Sequence, residues 1–416
     1  MALALSLAIL MPVIAAYLYR TYMHEMVPGW VEGSRLYEVP FLLFALTTII
    51  FAFGRAFTIR GAWMELPKDA RVAAAVLVGA VFVSSIVYSR NPSLSVATSA
   101  GLMLNLVFAA AVVHLLRQSD RGQWGYVMPV FTAGILVLAV YTAWRFSFPP
   151  PASEVRGGVI EWSAAVPGFI SVRHFGSWTG AIAAGLAVRI LYMKDAPGFR
   201  WSHLCYLIAA SATVWSGTRG AILAMIVTAG IVTAGLRRLP PARAIGRAAL
   251  LTGLSLAIAY PLLPDAQAFH LIASRDYGTI ATATSDRASL WELTFLRWLD
   301  SPLFGWGTSA TLWEVDSGEP HVQPHNAILQ FLISWGLVGT GAALYLLGRA
   351  IRQVHRVGLG DDTLRPLLGM LYALLLQSLI EGMLHYPRFI QAIFFLFAIL
   401  IVARRSGSAG AVGQAG

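Results

Sequence analysis

Recurring apolar runs of about 18 residues or more constrain this chain more than any other feature, because that length crosses a bilayer core as a helix. Lipid offers no water to a peptide group, so each such run must pair its own N–H and C=O groups and fold helically. The runs lie near 2–19, 38–55, 71–89, 94–115, 125–145, 174–193, 201–216, 219–236, 247–263, 326–348, 364–382 and 388–403. Composition points the same way: of 416 residues, 57% are hydrophobic and 12% charged. Ordinary soluble domains carry roughly a quarter charged residues. The predicted fold class is an all-α polytopic membrane protein of about twelve transmembrane helices.

The run from Met1 to Tyr19 has no basic segment before it and no clear small-x-small cleavage site, so it reads as a retained helix. Cys205 is the single cysteine, which excludes an internal disulfide and a thiolate metal set. Four segments are expected: helices 1–9 with short loops over 1–263, a large loop over 264–325, helices 10–12 over 326–405, and a Gly/Ala-rich, disordered tail over 406–416.

Basic residues orient the chain. With the N-terminus inside, the inner connections hold most of the lysines and arginines, among them Arg55, Lys68, Arg117, Arg189, Arg237, Arg238, Arg349, Arg352 and Arg404. Cytoplasmic loops are enriched in Lys and Arg, so both termini are placed in the cytoplasm. The net charge of +10 reports this asymmetry and does not call for nucleic acid. The loop 264–325 and the shorter loop 146–173 then face outward.

Several outward arginines sit at helix mouths. Arg219 follows the tight turn Trp215-Ser216-Gly217-Thr218, where Ser216 or Thr218 can cap the next helix. Arg287 opens a predicted amphipathic helix over 286–300, with Trp291, Phe295, Trp298 and Leu299 on one face and Ser285 or Asp286 as N-cap. Arg173 and His174 begin the sixth span. A cation beside a helix N-terminus is unfavourable alone and makes sense with an anion between them. Each arginine also has a plainer reading, as a snorkelling interface residue or the partner of a nearby carboxylate. Arginine's planar fork suits pyrophosphate.

The loop ends in His321-Val322-Gln323-Pro324-His325-Asn326. Beside a helix start and near arginines, His325 is expected to be a neutral imidazole able to take a proton from a hydroxyl. Asn326 can cap the following span. His321 is four residues away, but acidic partners at metal-ligand spacing are lacking, so no metal is expected. Glu381, His385 and Arg388 cluster where the last two spans meet and either finish a pocket wall or pair with one another. Gly305-Trp306-Gly307 reads as a turn, and Gly336 and Gly339 read as sites of close helix packing.

The run from Arg287 and Trp291 through Ser301-Pro302-Leu303-Phe304-Gly305-Trp306-Gly307 and His325-Asn326-Ala327-Ile328-Leu329 to Gly336-Leu337-Val338-Gly339 resembles the signature region of the O-antigen ligase and polymerase superfamily. Arg219-Gly220-Ala221-Ile222-Leu223 resembles that family's arginine-x3-leucine element. The resemblance implies a GT-C-type glycosyltransferase of the bacterial inner membrane with its active site facing the periplasm. Such an enzyme moves a glycan from undecaprenyl pyrophosphate to an acceptor and needs neither cofactor nor metal. In the ligase branch the acceptor is a lipid A-core sugar, in the polymerase branch another lipid-linked repeat, and in the protein-glycosylating branch a serine or threonine. The compact length and single major loop favour the ligase branch. His325 would be the catalytic base. Arg219, Arg287 and Arg173 would bind pyrophosphate, with His174, His321, Glu381, His385 and Arg388 in support. The competing class is a transporter of anions or lipid-linked glycan, in which buried cations mark a permeation path.

Overall fold

A computed structural model describes residues 1, 3, 38–119, 121–147, 169, 172–193, 199–262, 287–310 and 323–412. Regular structure among them is helical, with no strand. In chain order the α-helices are α1 Val39–Phe53, α2 Ile59–Glu65, α3 Lys68–Val83, α4 Pro92–Leu116, α5 Val127–Ser147, α6 Val172–Tyr192, α7 Phe199–Trp215, α8 Arg219–Leu236, α9 Ala242–Ala259, α10 Arg287–Leu299, α11 Ala327–Gly360, α12 Arg365–Glu381 and α13 Pro387–Val412. Each predicted span from 38–55 onward falls on one of these, and the predicted amphipathic helix is α10. The run 2–19 lies outside the described residues, as do Ser285, Asp286 and His321. Seven described helices are long and apolar enough to cross a membrane: Lys68–Tyr88, Pro92–Leu116, Trp124–Tyr141, Arg219–Leu236, Ala242–Leu262, Ala327–Gly360 and Pro387–Arg404. The chain is a polytopic helical membrane protein.

It forms two compact units. The first comprises Met1–Phe44, Asp120–Ser274 and Arg356–Gln377, and the second comprises Ala45–Ser119, Arg275–His355 and Ser378–Gly416. In the first unit α6 is the central helix and is buried along almost its whole length. Its Trp178 meets Phe131 edge-on at 5.2 Å, and its Phe175 meets Trp215 at 6.3 Å. Thr179 and Thr213 join hydroxyls across the α6–α7 contact at 2.9 Å, so the polar atoms are satisfied inside the unit.

In the second unit the informative element is α11, which is not one continuous helix. Gly336 has φ 61° and ψ −164°, a conformation open essentially to glycine alone. The turn 302–307 is set into this break. Trp306 N–H donates to Ile333 C=O (2.7 Å), Gly307 N–H to Ser334 C=O (3.0 Å), Leu337 N–H to Pro302 C=O (2.8 Å) and Val338 N–H to Leu303 C=O (3.2 Å). Irregular backbone is tolerated at membrane depth only where protein takes over its hydrogen bonds. Here the turn 302–307 takes them. The expectation that Gly336 serves close helix packing is therefore corrected: a Cβ at 336 would lie 2.2 Å from the carbonyl carbon of Leu303, and the residue is there to break the helix and admit that turn. Gly339 does make a close approach, with Ala80 Cβ 3.3 Å from where its own would stand.

The next residue, Thr308, anchors the turn. Its hydroxyl accepts from Trp335 Nε1 at 2.9 Å and lies 2.7 Å from Ser99 Oγ and 3.1 Å from Ser85 Oγ. Its carbonyl accepts from Ser95 Oγ at 2.8 Å. Ser85 belongs to a π-helical turn, Ser84–Tyr88, that ends the α3 span. Elsewhere in the unit Gln391 Nε2 donates to Asn105 Oδ1 at 3.0 Å, which ties α13 to α4 through two buried amides.

Candidate functional site

In the first unit, Arg219 is the first residue of α8. The turn before it is closed by Gly217 at φ 67°, whose carbonyl accepts from Arg219 N–H at 3.0 Å. The expected side-chain cap on α8 is absent. Thr218 takes φ −81°, ψ 87° instead of the extended conformation of a capping residue. Its hydroxyl sits 2.9 Å from Ser216 Oγ and donates to Arg173 C=O at 3.4 Å. A local cap has been exchanged for a bond to the mouth of α6, and this contact brings Arg173, His174 and Arg219 to one end of the unit. Arg173 is exposed, Arg219 half-buried and His174 buried.

In the second unit, Arg287 is the first residue of α10. Its Nη2 donates to Glu381 Oε1 at 2.7 Å, with the two side chains 17% and 5% exposed. Of the two readings for Glu381, wall or partner, the structure shows a partner, but of Arg287. The carboxylate also answers the puzzle of a cation in a helix's first turn: it is supplied by the end of α12, 94 residues away. One carboxylate oxygen engages one of the five N–H groups of the guanidinium, so the rest of the fork remains able to grip an anion.

One turn along α10, Trp291 Nε1 donates to Pro324 C=O at 2.9 Å. The helix that carries Arg287 thus also holds the residue before His325. His325 has φ 52°, a left-handed backbone that costs an ordinary residue roughly 1–2 kcal/mol. Asn326 then caps α11 as expected: its Oδ1 accepts from Ile328 N–H at 2.9 Å and Leu329 N–H at 3.1 Å. His325 is half-buried between this cap and the Trp291 clamp. His385 closes a short 3₁₀ turn, Met383–His385, and packs edge-on against Tyr386 at 5.0 Å. Arg388, in the first turn of α13, is fully buried.

The arrangement therefore consists of a pair of arginines with His174 in one unit, and in the other the Arg287–Glu381 pair with the residue before His325 held by Trp291 of the same helix. Sequence reasoning gave Trp291 only an apolar role and gave Gln323, Gly382 and Tyr386 none. The indole N–H and the Gly between Glu381 and His385 were visible signals, but their partners are distant in sequence.

Residues 204–344 match the model of the family described as O-antigen ligase. Over that stretch the chain is similar to the O-antigen ligase family. No curated protein matches the sequence. The O-antigen ligase match holds α8, α9, α10 and the break in α11, and with them Arg219, Arg287, Trp291, His325 and Gly336. Arg173, His174, Glu381, His385 and Arg388 lie outside it.

Proposed function

We propose that the protein is an O-antigen ligase, a GT-C-type enzyme that transfers O-antigen glycan from undecaprenyl pyrophosphate to a lipid A-core sugar hydroxyl at the periplasmic face of the bacterial inner membrane. The observation that carries this reading is that a single helix, α10, bears Arg287 and grips the segment of His325 through Trp291. A candidate anion binder and a candidate base are thereby held on one frame, within the stretch that matches the family.

In this reading Arg287 holds the pyrophosphate and offsets the charge that grows on it as the bond from the anomeric carbon to phosphate oxygen breaks, and Arg219, with Arg173 in support, is proposed as a pyrophosphate binder from its place at the mouth of α8. Glu381 orients the Arg287 fork. The acceptor hydroxyl oxygen attacks the anomeric carbon from the opposite face, its proton passes to the His325 imidazole, and undecaprenyl pyrophosphate leaves. One displacement inverts the anomeric centre. Pyrophosphate is a stable leaving group, so no general acid is required, and the chemistry asks for no metal.

Against the transporter reading stands the pairing at the helix break. Transporters use the freed main-chain groups of broken helices to hold ions. In α11 the turn 302–307 takes them instead. The decisive experiment is transfer with purified lipid-linked donor and core acceptor. His325→Ala is expected to abolish transfer, and Arg219→Lys to fall far below wild type because an ammonium cannot grip two oxygens in a fork. Wild-type transfer by both variants would overturn the mechanism. Release of polyprenyl pyrophosphate separates a transferase from a transporter. On a lipopolysaccharide gel of a deletion strain, accumulated polymeric lipid-linked glycan marks a ligase, and core bearing one repeat marks a polymerase.

A further inference from the structure

Two residues before His325, the side chain of Gln323 is 1% exposed. Its Nε2 donates to the Tyr386 hydroxyl at 2.8 Å. Its Oε1 makes no hydrogen bond and presses on Gly382, where a Cβ would stand 2.1 Å from that oxygen and 3.3 Å from His325 Cα. Gly382 has φ 64°, a conformation that favours glycine, and a Cβ there would displace the Gln323 amide.

A buried amide left half-satisfied is destabilising, and a methionine of similar length would fill the same room without that penalty. The amide is thus accounted for by its bond to Tyr386. Gly382 also links the supports on either side of it. Just before it in the chain is Glu381, which holds Arg287. Just after it, the turn Met383–His385 leads to Tyr386, which holds Gln323. Pro324, between Gln323 and His325, is held separately by Trp291. The left-handed His325 is therefore preceded by two fixed residues, each tied to an element that also bears on Arg287.

We propose that Gln323 is a positioning residue for His325: its amide, anchored on Tyr386 and wedged against Gly382, fixes the turn that aims the imidazole and sets its spacing from Arg287. The proposal rests on the reading of His325 as the base. It adds Tyr386 and Gly382 to the machinery as supports that touch no substrate.

The test uses the full-length protein in lipid nanodiscs, with Gln323→Met, Tyr386→Phe and the double variant. Both single variants remove the same hydrogen bond and keep side-chain volume. The expected result is a kcat lowered at least about 10-fold in each, with KM for donor and acceptor unchanged. The double variant is expected to be no worse than the poorer single one, because the two residues act through one bond. Carbethoxylation of His325 by diethyl pyrocarbonate, followed by peptide mass spectrometry, supplies a readout independent of transfer. Its rate is expected to rise several-fold in Gln323→Met as the turn loosens. A wild-type modification rate in both single variants overturns the proposal, as does wild-type kcat in both while His325→Ala is inactive. If His325→Ala retains transfer, the base reading falls, and the modification rate alone decides whether Gln323 positions the ring.

Discussion

Arg287 Nη2 and Glu381 Oε1 lie 2.7 Å apart, joining the first residue of α10 to the last residue of α12. The pair is largely shielded from water, so it is not one of the exposed ion pairs whose contribution is near zero. The carboxylate neutralises part of the guanidinium charge and tethers one of its nitrogens. Removing one member of such a pair leaves the other without its compensation.

Glu381→Ala is expected to lower transfer by on the order of 10- to 100-fold through misplacement of Arg287. Initial rates at saturating donor and acceptor check this. Wild-type rates would mean that Arg287 is placed by other contacts.

Trp291→Phe keeps the aromatic bulk and deletes the N–H that donates to Pro324 C=O. The lost hydrogen bond is worth about 1 kcal/mol. The variant should fold with a nearly unchanged thermal midpoint and show a kcat several-fold lower. A midpoint drop with unaltered kcat would assign the indole to stability alone.

Gly336→Ala should lose the native fold or be destabilised by more than about 3 kcal/mol, because a Cβ would meet the 302–307 turn in a conformation that alanine avoids. Monodispersity and thermal unfolding in detergent report this directly. A well-folded alanine variant would show that α11 can close into a regular helix.

Thr308→Val preserves shape and removes the hydroxyl to which Trp335, Ser85 and Ser99 turn. Each buried polar group left without a partner costs about 1–3 kcal/mol. The midpoint should fall by several degrees, more than for Ser95→Ala, which removes a single bond to the Thr308 carbonyl. Equal shifts would show that the cluster is not centred on Thr308.

The helices were legible because lipid enforces internal hydrogen bonding on any long apolar run, and α10 because its hydrophobic period survives in a polar loop. Asn326 as a cap was legible too, since capping is a contact over two or three residues. Thr218 was not: a hydroxyl next to a helix start has several acceptors, and the one chosen, Arg173 C=O, is 45 residues away. Gly336 was misread because glycine permits both close packing and a break, and only the turn 302–307 lying in the gap decides between them.

By itself, then, the sequence determined the class of fold, the helix that carries Arg287, and the candidate identities of arginines and histidine, since these follow from local period, charge and residue chemistry. Only the tertiary structure decided that Glu381 serves Arg287, that Trp291 and Gln323 hold the segment of His325, and that α11 is broken at Gly336. Those facts depend on which distant groups satisfy one another's hydrogen bonds in a medium without water, and no local pattern encodes that choice.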